Sequence, residues 1–478
     1  LFPSIAKGCH MSAPKIIESI EQNNIEFVSF RFTDPRGGWQ QITQSVQIVN
    51  EGTFEDGVMM DGSSIAGWKG IEHSDMVLIP DTNTVMTDPF TSRPTLVIIC
   101  DTCDPITREP YERCPRQIGR KAAEYLRSTG IADSAWFGPE PEFFVFDDVR
   151  SNVTTNEAYY FVDSQEGPYN SGREYPGGNM GHRPPNKGGY FPAPPVDSLA
   201  ELRSDMLANM IAMGVPVEKH HHEVGTGQCE LGFVFDELLR SADLVQIYKY
   251  AVQMTAAQAG KSATFMPKPI VGDNGNGMHI HQSLGNSDGT IFGGDEYGGL
   301  SQTALHYIGG IRKHAQAINA FTNPTTNSYK RLQPGFEAPL SLIYASHNRS
   351  AAFRIPFAPS KKSRHIEVRF PDPAANPYLA YAVFLMAGLD GIQNKIDPGK
   401  PLEGDLFALS QDELAEIPQV CKSLDQALDA LDGDRDFLKQ GNVFTDDFID
   451  GYIELKRGEC QEYAETPHPV EFKMYYSV

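Results

Sequence analysis

Cysteine, long apolar runs and positive charge are all scarce in this sequence. Its seven cysteines among 478 residues are too few and too scattered for a disulfide framework, which favours a reducing, cytoplasmic location. Cys100 and Cys103 form a Cys-x-x-Cys, but Asp101 between them indicates the end of a strand rather than a redox motif. The longest nearly apolar run, residues 378–389, is too short to cross a bilayer, so no membrane helix is predicted.

The balance of charge excludes several default partners. Lys and Arg number 40 against 62 Asp and Glu, which gives a formal net charge of −22. Nucleic acid and anionic membrane surfaces are therefore disfavoured as partners. Neither a Gly-x-x-x-x-Gly-Lys-Ser/Thr nor a Gly-x-Gly-x-x-Gly pattern occurs, so a P-loop or a dinucleotide fold has no support.

The chain divides into a short leader, a small unit and a large unit. Residues 1–10 lack the apolar core of a signal peptide and precede a natural-looking start at Met11, which indicates a vector-derived remnant. Up to residue 110, short strands, turns and a helix predict a small α+β unit. Strands and helices then mix up to residue 478. Residues 167–195 contain 14 Gly or Pro in 29 positions, which predicts a long irregular loop.

Three strand-like segments carry polar side chains two residues apart, a spacing that places both side chains on one face. The pairs are Glu140 with Glu142, His279 with His281, and Glu367 with Arg369. A strand facing water would explain any one pair. Three such segments, each with apolar neighbours on the opposite face, predict strands that line a polar interior.

Carboxylates and histidines form a candidate set of metal ligands. Three histidines, residues 220–222, precede Glu223, and Glu230 follows seven residues later; this spacing matches no zinc signature. Core or surface histidines with solvated glutamates are the alternative interpretation. The oxygen-rich set suits magnesium or manganese better than zinc. It consists of Glu140, Glu142, Glu223, Glu230, His279 and Glu367.

A basic window interrupts the acidic chain. Residues 330–369 contain eight basic and two acidic side chains. A solvated basic face is the ordinary explanation, but these arginines lie between apolar, proline-bounded segments, and guanidinium binds carboxylate and phosphate in a forked geometry. Carboxylate-held metals beside an arginine cluster predict phosphoryl transfer.

Seven segments are highly specific when they occur together in this order. They are residues 60–65, 138–142, 187–191, 220–223, 268–269, 323–331 and 470–472. With them the chain resembles the bacterial type I glutamine synthetases over essentially all of residues 12–478. The resemblance implies an α+β fold, with a small N-terminal β-grasp-like domain over residues 12–110. It also implies a large catalytic domain over residues 111–478, whose curved, mainly antiparallel sheet forms a funnel-shaped site.

The resemblance also implies an activity and an assembly. The activity is the ATP-dependent ligation of ammonia to L-glutamate through γ-glutamyl phosphate, which gives L-glutamine, ADP and phosphate. Two or more magnesium or manganese ions would serve each active site. The implied assembly is a homo-oligomer, a dodecamer of two stacked hexameric rings, with each active site shared by neighbours in a ring.

Site roles follow by matching position. Glu142, Glu223 and Glu230 would hold the metal nearer glutamate, and Glu140, His279 and Glu367 the metal between the ATP phosphates. Nucleotide and phosphate contacts fall at Glu218, His281, Ser283, Arg349, Arg354 and Lys362. Glutamate contacts fall at Asn274, Gly275, Arg331 and Arg369.

The ammonium step and the closing flap complete the implied set. Asp61 from the adjacent subunit is the candidate base, with Ser64 and Tyr190 near the ammonium site. Glu337 would close over glutamate and exclude water, and Arg349 would neutralise charge on the moving phosphoryl group.

Two departures and two alternatives stand beside this interpretation. The 223–230 loop, which ends at the matched ligand Glu230, is one residue shorter than in the adenylylation-regulated bacterial enzymes. Phe407, whether natural or engineered, stands where those enzymes carry the tyrosine that is adenylylated, which predicts that this chain escapes adenylylation.

One alternative function is that of a γ-glutamyl ligase for an amine or polyamine, which Asp61, Ser64 and Tyr190 disfavour. The other is a catalytically inactive structural ring, which the six retained metal ligands disfavour.

Overall fold

The computed structural model describes residues 11–68, 74–170, 172–175, 178–334, 338–348, 350–404 and 417–477. The ten-residue leader, Glu337, Arg349 and Phe407 lie outside these ranges. Within the described ranges, no helix combines the length and the apolar character that crossing a membrane requires.

A six-stranded sheet organises the N-terminal domain. Its strand order is β2-β1-β6-β4-β3 with β5 paired to β6, and only the β1–β6 pair is parallel. The strands are β1 Phe27–Thr33, β2 Trp39–Ser45, β3 Val58–Asp61, β4 Asp75–Pro80, β5 Met86–Thr87 and β6 Thr95–Cys103. Helices α1 Ala13–Gln22 and α2 Glu51–Glu55 belong to the same domain. The expected β-grasp-like domain is confirmed.

Strand β6 connects the two domains because both of its faces are buried. Leu96 and Ile98 belong to the core of the N-terminal domain, whereas Val97 and Ile99 belong to the large core of the catalytic domain. This alternation follows from the two-residue period of a strand. Cys100 and Cys103, also on β6, are buried free thiols, as the strand interpretation of the Cys-x-x-Cys predicts.

A ten-stranded, mainly antiparallel sheet forms the centre of the catalytic domain. Its order is β10-β11-β7-β14-β18-β17-β16, with β12 and β13 paired to β7 and β15 paired to β14. The strands are β7 Ser134–Phe146, β10 Val217–His222, β11 Gln228–Phe233, β12 Asp236–Glu237, β13 Ser262–Thr264, β14 Met278–Asn286, β15 Gly289–Thr290, β16 Tyr344–Ala345, β17 Phe353–Arg354 and β18 Ile366–Val368. Strands β8 Asp148–Val153 and β9 Ala158–Asp163 form a separate hairpin.

The structure describes nine helices in the catalytic domain, and all except the last have buried residues. They are α3 Pro115–Thr129, α4 Ala200–Ala212, α5 Leu238–Gln258, α6 Gln302–Thr322, α7 Ser328–Arg331, α8 Pro377–Gln393, α9 Leu424–Gly433, α10 Asp446–Glu465 and α11 Pro469–Tyr475. The apolar run at 378–389 is a core helix, since α8 is buried almost throughout. Gly388 lets α8 approach α6, because a Cβ there would lie 2.0 Å from the Tyr307 ring.

Arg116 joins the two domains through a buried ion cluster. Its guanidinium contacts Asp81 and Asp101 of the N-terminal domain at 2.7 and 2.8 Å, and Asp243 of α5 at 2.9 Å. Loss of the buried Arg116 guanidinium would leave buried carboxylates short of a counter-ion, which strongly destabilises a protein, so this cluster fixes the relative position of the sheet and helices.

The predicted long loop is irregular over its described residues. Between Gly167 and Pro195 these residues contain one short 3₁₀ helix, Pro168–Asn170, and no strand. Buried Glu166 anchors its beginning, because its Oε1 accepts hydrogen bonds from the Ser198 amide and hydroxyl. Its Oε2 lies 2.8 Å from His222 Nε2 on β10. The loop is thus held beside the strand that leads to Glu223.

Candidate active site

Strand register brings the predicted polar pairs to one face of the large sheet. His279 of β14 pairs with Glu140 of β7, and His281 pairs across the other edge of β14 with Glu367 of β18. Glu142 pairs with Glu230 of β11. The three sequence segments therefore become neighbouring strands, and their polar side chains form two adjacent clusters.

The first cluster, here the Glu367 cluster, consists of Glu140, His279, His281 and Glu367. His279 Nδ1 lies 3.7 Å from both Glu140 Oε2 and Glu367 Oε1, and His281 Nε2 lies 3.5 Å from Glu140 Oε1. One ligand atom each from Glu140, His281 and Glu367 lie within 4.8 Å of one another. His281, matched to the nucleotide, is thus as well placed for a cation as His279.

Cationic neighbours keep the Glu367 cluster ionised. Burial opposes the charge on Glu367, but His281, Arg369 and Arg354 outweigh it and lower the pKa of Glu367 to about 2. Arg354 Nη1 donates to Glu367 Oε2 at 2.6 Å, and Arg369 Nη1 donates to Oε1. Burial and Arg369 lower the pKa of His279, which favours the neutral ring that a metal requires.

The second cluster, here the Glu142 cluster, consists of Glu142, Glu223, Glu230 and His221. Two contacts of 3.4 Å join His221 to the others, Nδ1 to Glu223 Oε1 and Nε2 to Glu230 Oε1. Burial together with the nearby Glu223 and Glu230 carboxylates raises the pKa of Glu142 well above its ordinary value. Carboxylates that oppose one another's ionisation in this way form a site that a divalent cation would relieve.

Gln228 and Gly277 hold Glu142 in place, and sequence reasoning missed both. Gln228 Nε2 and the Gly277 amide donate to the same carboxylate oxygen, Glu142 Oε2, at 2.8 and 2.9 Å. His221 was also missed as a cluster member. The signal available in the sequence was the two-residue spacing of His221 and Glu223, which places both on one face. The pairing of His221 with Glu230 appears only in the structure.

Arg331, Asn274 and Gly275 come together beside the Glu142 cluster. Arg331 is buried and donates to the backbone oxygens of Phe370 at 2.8 Å and Pro371 at 3.2 Å. Gly275 permits this approach, because a Cβ there would lie 2.5 Å from Pro267 O and 3.1 Å from Arg331 Cγ. Asn274 is buried in the same turn. Close packing against Arg331 therefore accounts for Gly275, and also for Gly277, where a Cβ would lie 2.7 Å from Arg331 Nη2.

The remaining residues matched to the nucleotide are dispersed. Ser283 lies two residues beyond His281 on β14, whereas Glu218 on β10 and Lys362 in a 3₁₀ helix, Lys361–Ser363, are exposed. Among the described residues, these three form no hydrogen bond or ion pair with the Glu367 cluster. Arg354, by contrast, contacts a cluster carboxylate directly.

The residues matched to the ammonium site lie in two places. Tyr190 is half-exposed, stacks on Phe191 at 3.9 Å and meets His221 edge-on at 5.9 Å, which puts it at the border of the Glu142 cluster. Asp61 and Ser64 are exposed on the N-terminal domain. The Ser63 amide donates to Asp61 Oδ1 at 2.8 Å and lowers the pKa of that carboxyl.

Comparison with known proteins agrees with this geometry. The family described as "Glutamine synthetase, beta-Grasp domain" matches residues 24–105, and "Glutamine synthetase, catalytic domain" matches residues 112–475. Glutamine synthetase of Bradyrhizobium diazoefficiens is 56% identical over 466 residues, which cover 98% of this chain and 99% of that protein. Glutamine synthetase of Escherichia coli is 55% identical over 469 residues, which cover 98% and 100%.

A solved structure is similar over the same extent. The cryo-EM structure of Plasmodium falciparum glutamine synthetase has a TM-score of 0.89 at 29% identity, with 98% of this chain and 99% of that chain covered. Both domains, the strand register of the two clusters and the full-length identity lead to one conclusion: this chain belongs to the glutamine synthetase family.

Proposed function

We propose that this chain carries out the reaction of its family with the two clusters described above. That reaction is the ATP-dependent formation of glutamine from glutamate and ammonia. The observation that supports the proposal most directly is the pairing of the Glu142 and Glu367 clusters on adjacent strands. Arginines border both, which suits the transfer of a phosphoryl group to a carboxylate.

The family uses ATP and divalent metal, and we propose magnesium or manganese, with two or more ions in each site. Glu142, Glu223 and Glu230 would hold one ion, and Glu140, His279 and Glu367 the other. The donor set fits, since it combines carboxylate oxygens with one imidazole and concentrates negative charge around Glu142. When bound, the ions would neutralise charge on the ATP phosphates and on the transferred group.

The chain's own residues bind and orient the two substrates. Arg331, Arg369, Asn274 and Gly275 are the proposed contacts of glutamate. Arg349, Arg354, Lys362, Glu218, His281 and Ser283 are the proposed contacts of ATP. A carboxylate is a poor acceptor for an amine, so the γ-phosphoryl group must first move to the glutamate side-chain oxygen to form an acyl phosphate. Arg349 would stabilise the charge that moves with it.

Ammonia then displaces phosphate from γ-glutamyl phosphate. Ammonium has no free electron pair until it loses a proton, and we assign Asp61 of the adjacent subunit as the base that accepts it. Its lowered pKa keeps the carboxylate ionised and able to bind a cation. Ser64 and Tyr190 would border this site, and Glu337 would exclude water from the acyl phosphate.

The product distinguishes this reaction from ligation of a larger amine. With glutamate, ATP and magnesium, we expect glutamine, ADP and phosphate, with ammonia preferred over putrescine by about 100-fold in kcat/KM. Mass spectrometry of the products, with each amine supplied separately, makes the measurement. Efficient γ-glutamylputrescine formation without glutamine formation would contradict the assignment, and no turnover with any amine would support an inactive ring.

We also propose a homo-oligomer, a dodecamer of two hexameric rings. The support is exposed apolar surface: no residue of α11 is buried, and Phe472 of that helix and Tyr476, the residue after it, are 61% and 78% exposed. The β8–β9 hairpin likewise exposes Val153 and Phe161. Patches of this kind mark contacts between proteins.

We further propose a domain boundary at residues 110–111. From the six buried free thiols among the described residues, we also propose a cytoplasmic location.

Charge placed on α11 is expected to weaken this assembly. The double substitution Phe472→Asp and Tyr476→Asp puts two carboxylates on the exposed apolar surface of α11 and the residue after it, so the mass measured by light scattering should fall below that of the unsubstituted protein. Lys473→Ala, on the same helix, is the matched control and should leave the mass unchanged. An active monomer in the unsubstituted protein, or a double variant of unaltered mass, would contradict the proposal.

A further inference from the structure

The loop that carries Asp61 and Ser64 is exposed at its tip and fixed at its end. In this Asp61 loop, residues 61–68, two successive turns place the Ile65 amide on Gly62 O and the Trp68 amide on Ile65 O, both at 3.0 Å. Trp68 is buried, with ring centroids 5.5 Å from Phe32 and 5.2 Å from Tyr111. The loop therefore enters from β3 and ends at an anchored tryptophan.

Arg113 forms a hydrogen bond with the backbone of this loop next to Trp68. Its Nη1 donates to Gly67 O at 3.0 Å, while its Nε and Nη2 donate to the two carboxylate oxygens of Asp447 at 2.8 and 2.9 Å. Asp447 lies in the first turn of α10, and its hydrogen bonds, together with its charge, raise the pKa of Arg113. A guanidinium that forms two hydrogen bonds with one carboxylate has a fixed orientation. Nη1, which donates to Gly67 O, is therefore held in place as well.

Close packing leaves the loop little freedom at this point. Gly67 has a φ of +83°, and a Cβ on it would lie 3.0 Å from Leu455 Cδ2 of α10. On the other side of Arg113, a Cβ at Gly451 would lie 2.6 Å from Nη1. Two glycines thus allow helix, arginine and loop backbone to meet without an intervening side chain.

We propose that Arg113, oriented by Asp447, is a positioning residue for the ammonium step. By holding the backbone of the Asp61 loop, it keeps the Asp61 carboxylate in the position from which it accepts the ammonium proton. The inference rests on the proposed function, in which Asp61 is that base. A displacement of about 1 Å in a reacting group lowers rates by up to about 100-fold, which gives such a tether its importance.

Other contacts hold the domains together, so a general bracing role for Arg113 is redundant. The Arg116 cluster joins the N-terminal sheet to α5, and Arg36 on the β1–β2 turn pairs with Glu459 of α10 at 2.8 Å. Neither contact touches residues 61–68. Loss of Arg113 should therefore release the loop while the domains stay in place.

The test separates the ammonium step from the phosphoryl step. In Arg113→Met, which keeps the length of the side chain without its donors, we expect the KM for ammonium to rise about tenfold. The KM values for glutamate and ATP should stay within about twofold, and so should glutamate-dependent ADP release without ammonia, because neither depends on Asp61. Asp447→Asn weakens the fork and should raise the KM for ammonium about threefold.

Arg36→Met is the matched control, since it breaks a contact between the same domain and the same helix without touching the loop. Equal effects of Arg36→Met and Arg113→Met on the KM for ammonium, or no effect of Arg113→Met, would overturn the proposal. If Arg113→Met does not fold, the exposed Asp447→Asn decides by the same measurement. An Asp61→Asn variant with normal ammonium dependence would refute the base itself, whereas a defective Asp61→Asn beside normal Arg113→Met and Asp447→Asn would refute only the tether.

Discussion

Glu142→Gln is expected to lower kcat by about 1,000-fold, because one charge at a metal-held phosphoryl-transfer site contributes several kcal/mol to the barrier. The same change should leave the metal-free protein at least as stable to heat as the unsubstituted one. Both hydrogen bonds to Glu142 end on Oε2, so the glutamine carbonyl can keep the Gly277 and Gln228 contacts. The amide also removes the repulsion that raises the pKa of Glu142.

Loss of activity combined with retained stability identifies a charge used for function rather than for folding. Turnover is measured across a magnesium titration, and unfolding is followed by calorimetry without metal. Glu201→Gln, an exposed carboxylate on α4, is the control for the loss of one charge and should change neither quantity. Near-normal turnover of Glu142→Gln at limiting magnesium would show that Glu142 is not a metal ligand.

The polar strand pairs are the part of the site that sequence predicts most directly. Whether two side chains share a face depends only on the local two-residue period, so Glu140 with Glu142 and His279 with His281 could be placed without knowledge of the fold. Which strands become neighbours is a non-local property. Only the register of β14 with β7 and β18 shows that His279 pairs with Glu140 and His281 with Glu367.

Supporting contacts are the part that sequence could not predict. Gln228 reaches Glu142 from 86 positions away, and Arg113 reaches Asp447 from 334 positions away. No periodicity or motif connects such residues, because their approach depends on how whole elements pack. The two-domain architecture could be predicted from the sequence. That β6 contributes residues to the cores of both domains appears only in the folded structure.

Asp61 and the two carboxylate clusters belong to different domains of the chain. Asp61 and Ser64 are exposed on the N-terminal domain, while both carboxylate clusters belong to the catalytic domain. Among the described residues, the hydrogen bond to Asp61 is donated by Ser63 within the same loop. This supports a site in which one subunit supplies Asp61 and its neighbour supplies the clusters.

Mixed assemblies of two inactive variants should therefore recover activity that neither variant has alone. Asp61→Ala and Glu142→Gln subunits are each expected to be nearly inactive alone. After random co-assembly in equal amounts, a site works when its Asp61 comes from a Glu142→Gln subunit and its clusters come from an Asp61→Ala subunit. Each condition is met half of the time, so about a quarter of the unsubstituted activity should return.

A second pairing controls for nonspecific rescue. Glu142→Gln mixed with Glu367→Gln should recover nothing, because both residues belong to the same sheet and every site then contains one defective cluster. Specific activity is measured after co-expression with two different affinity tags and purification through both, which ensures that each assembly contains both subunits. Activity of the Asp61→Ala and Glu142→Gln hybrid no higher than the sum of its parents would mean that Asp61 serves its own chain, since a site built within one subunit cannot be restored by a neighbour.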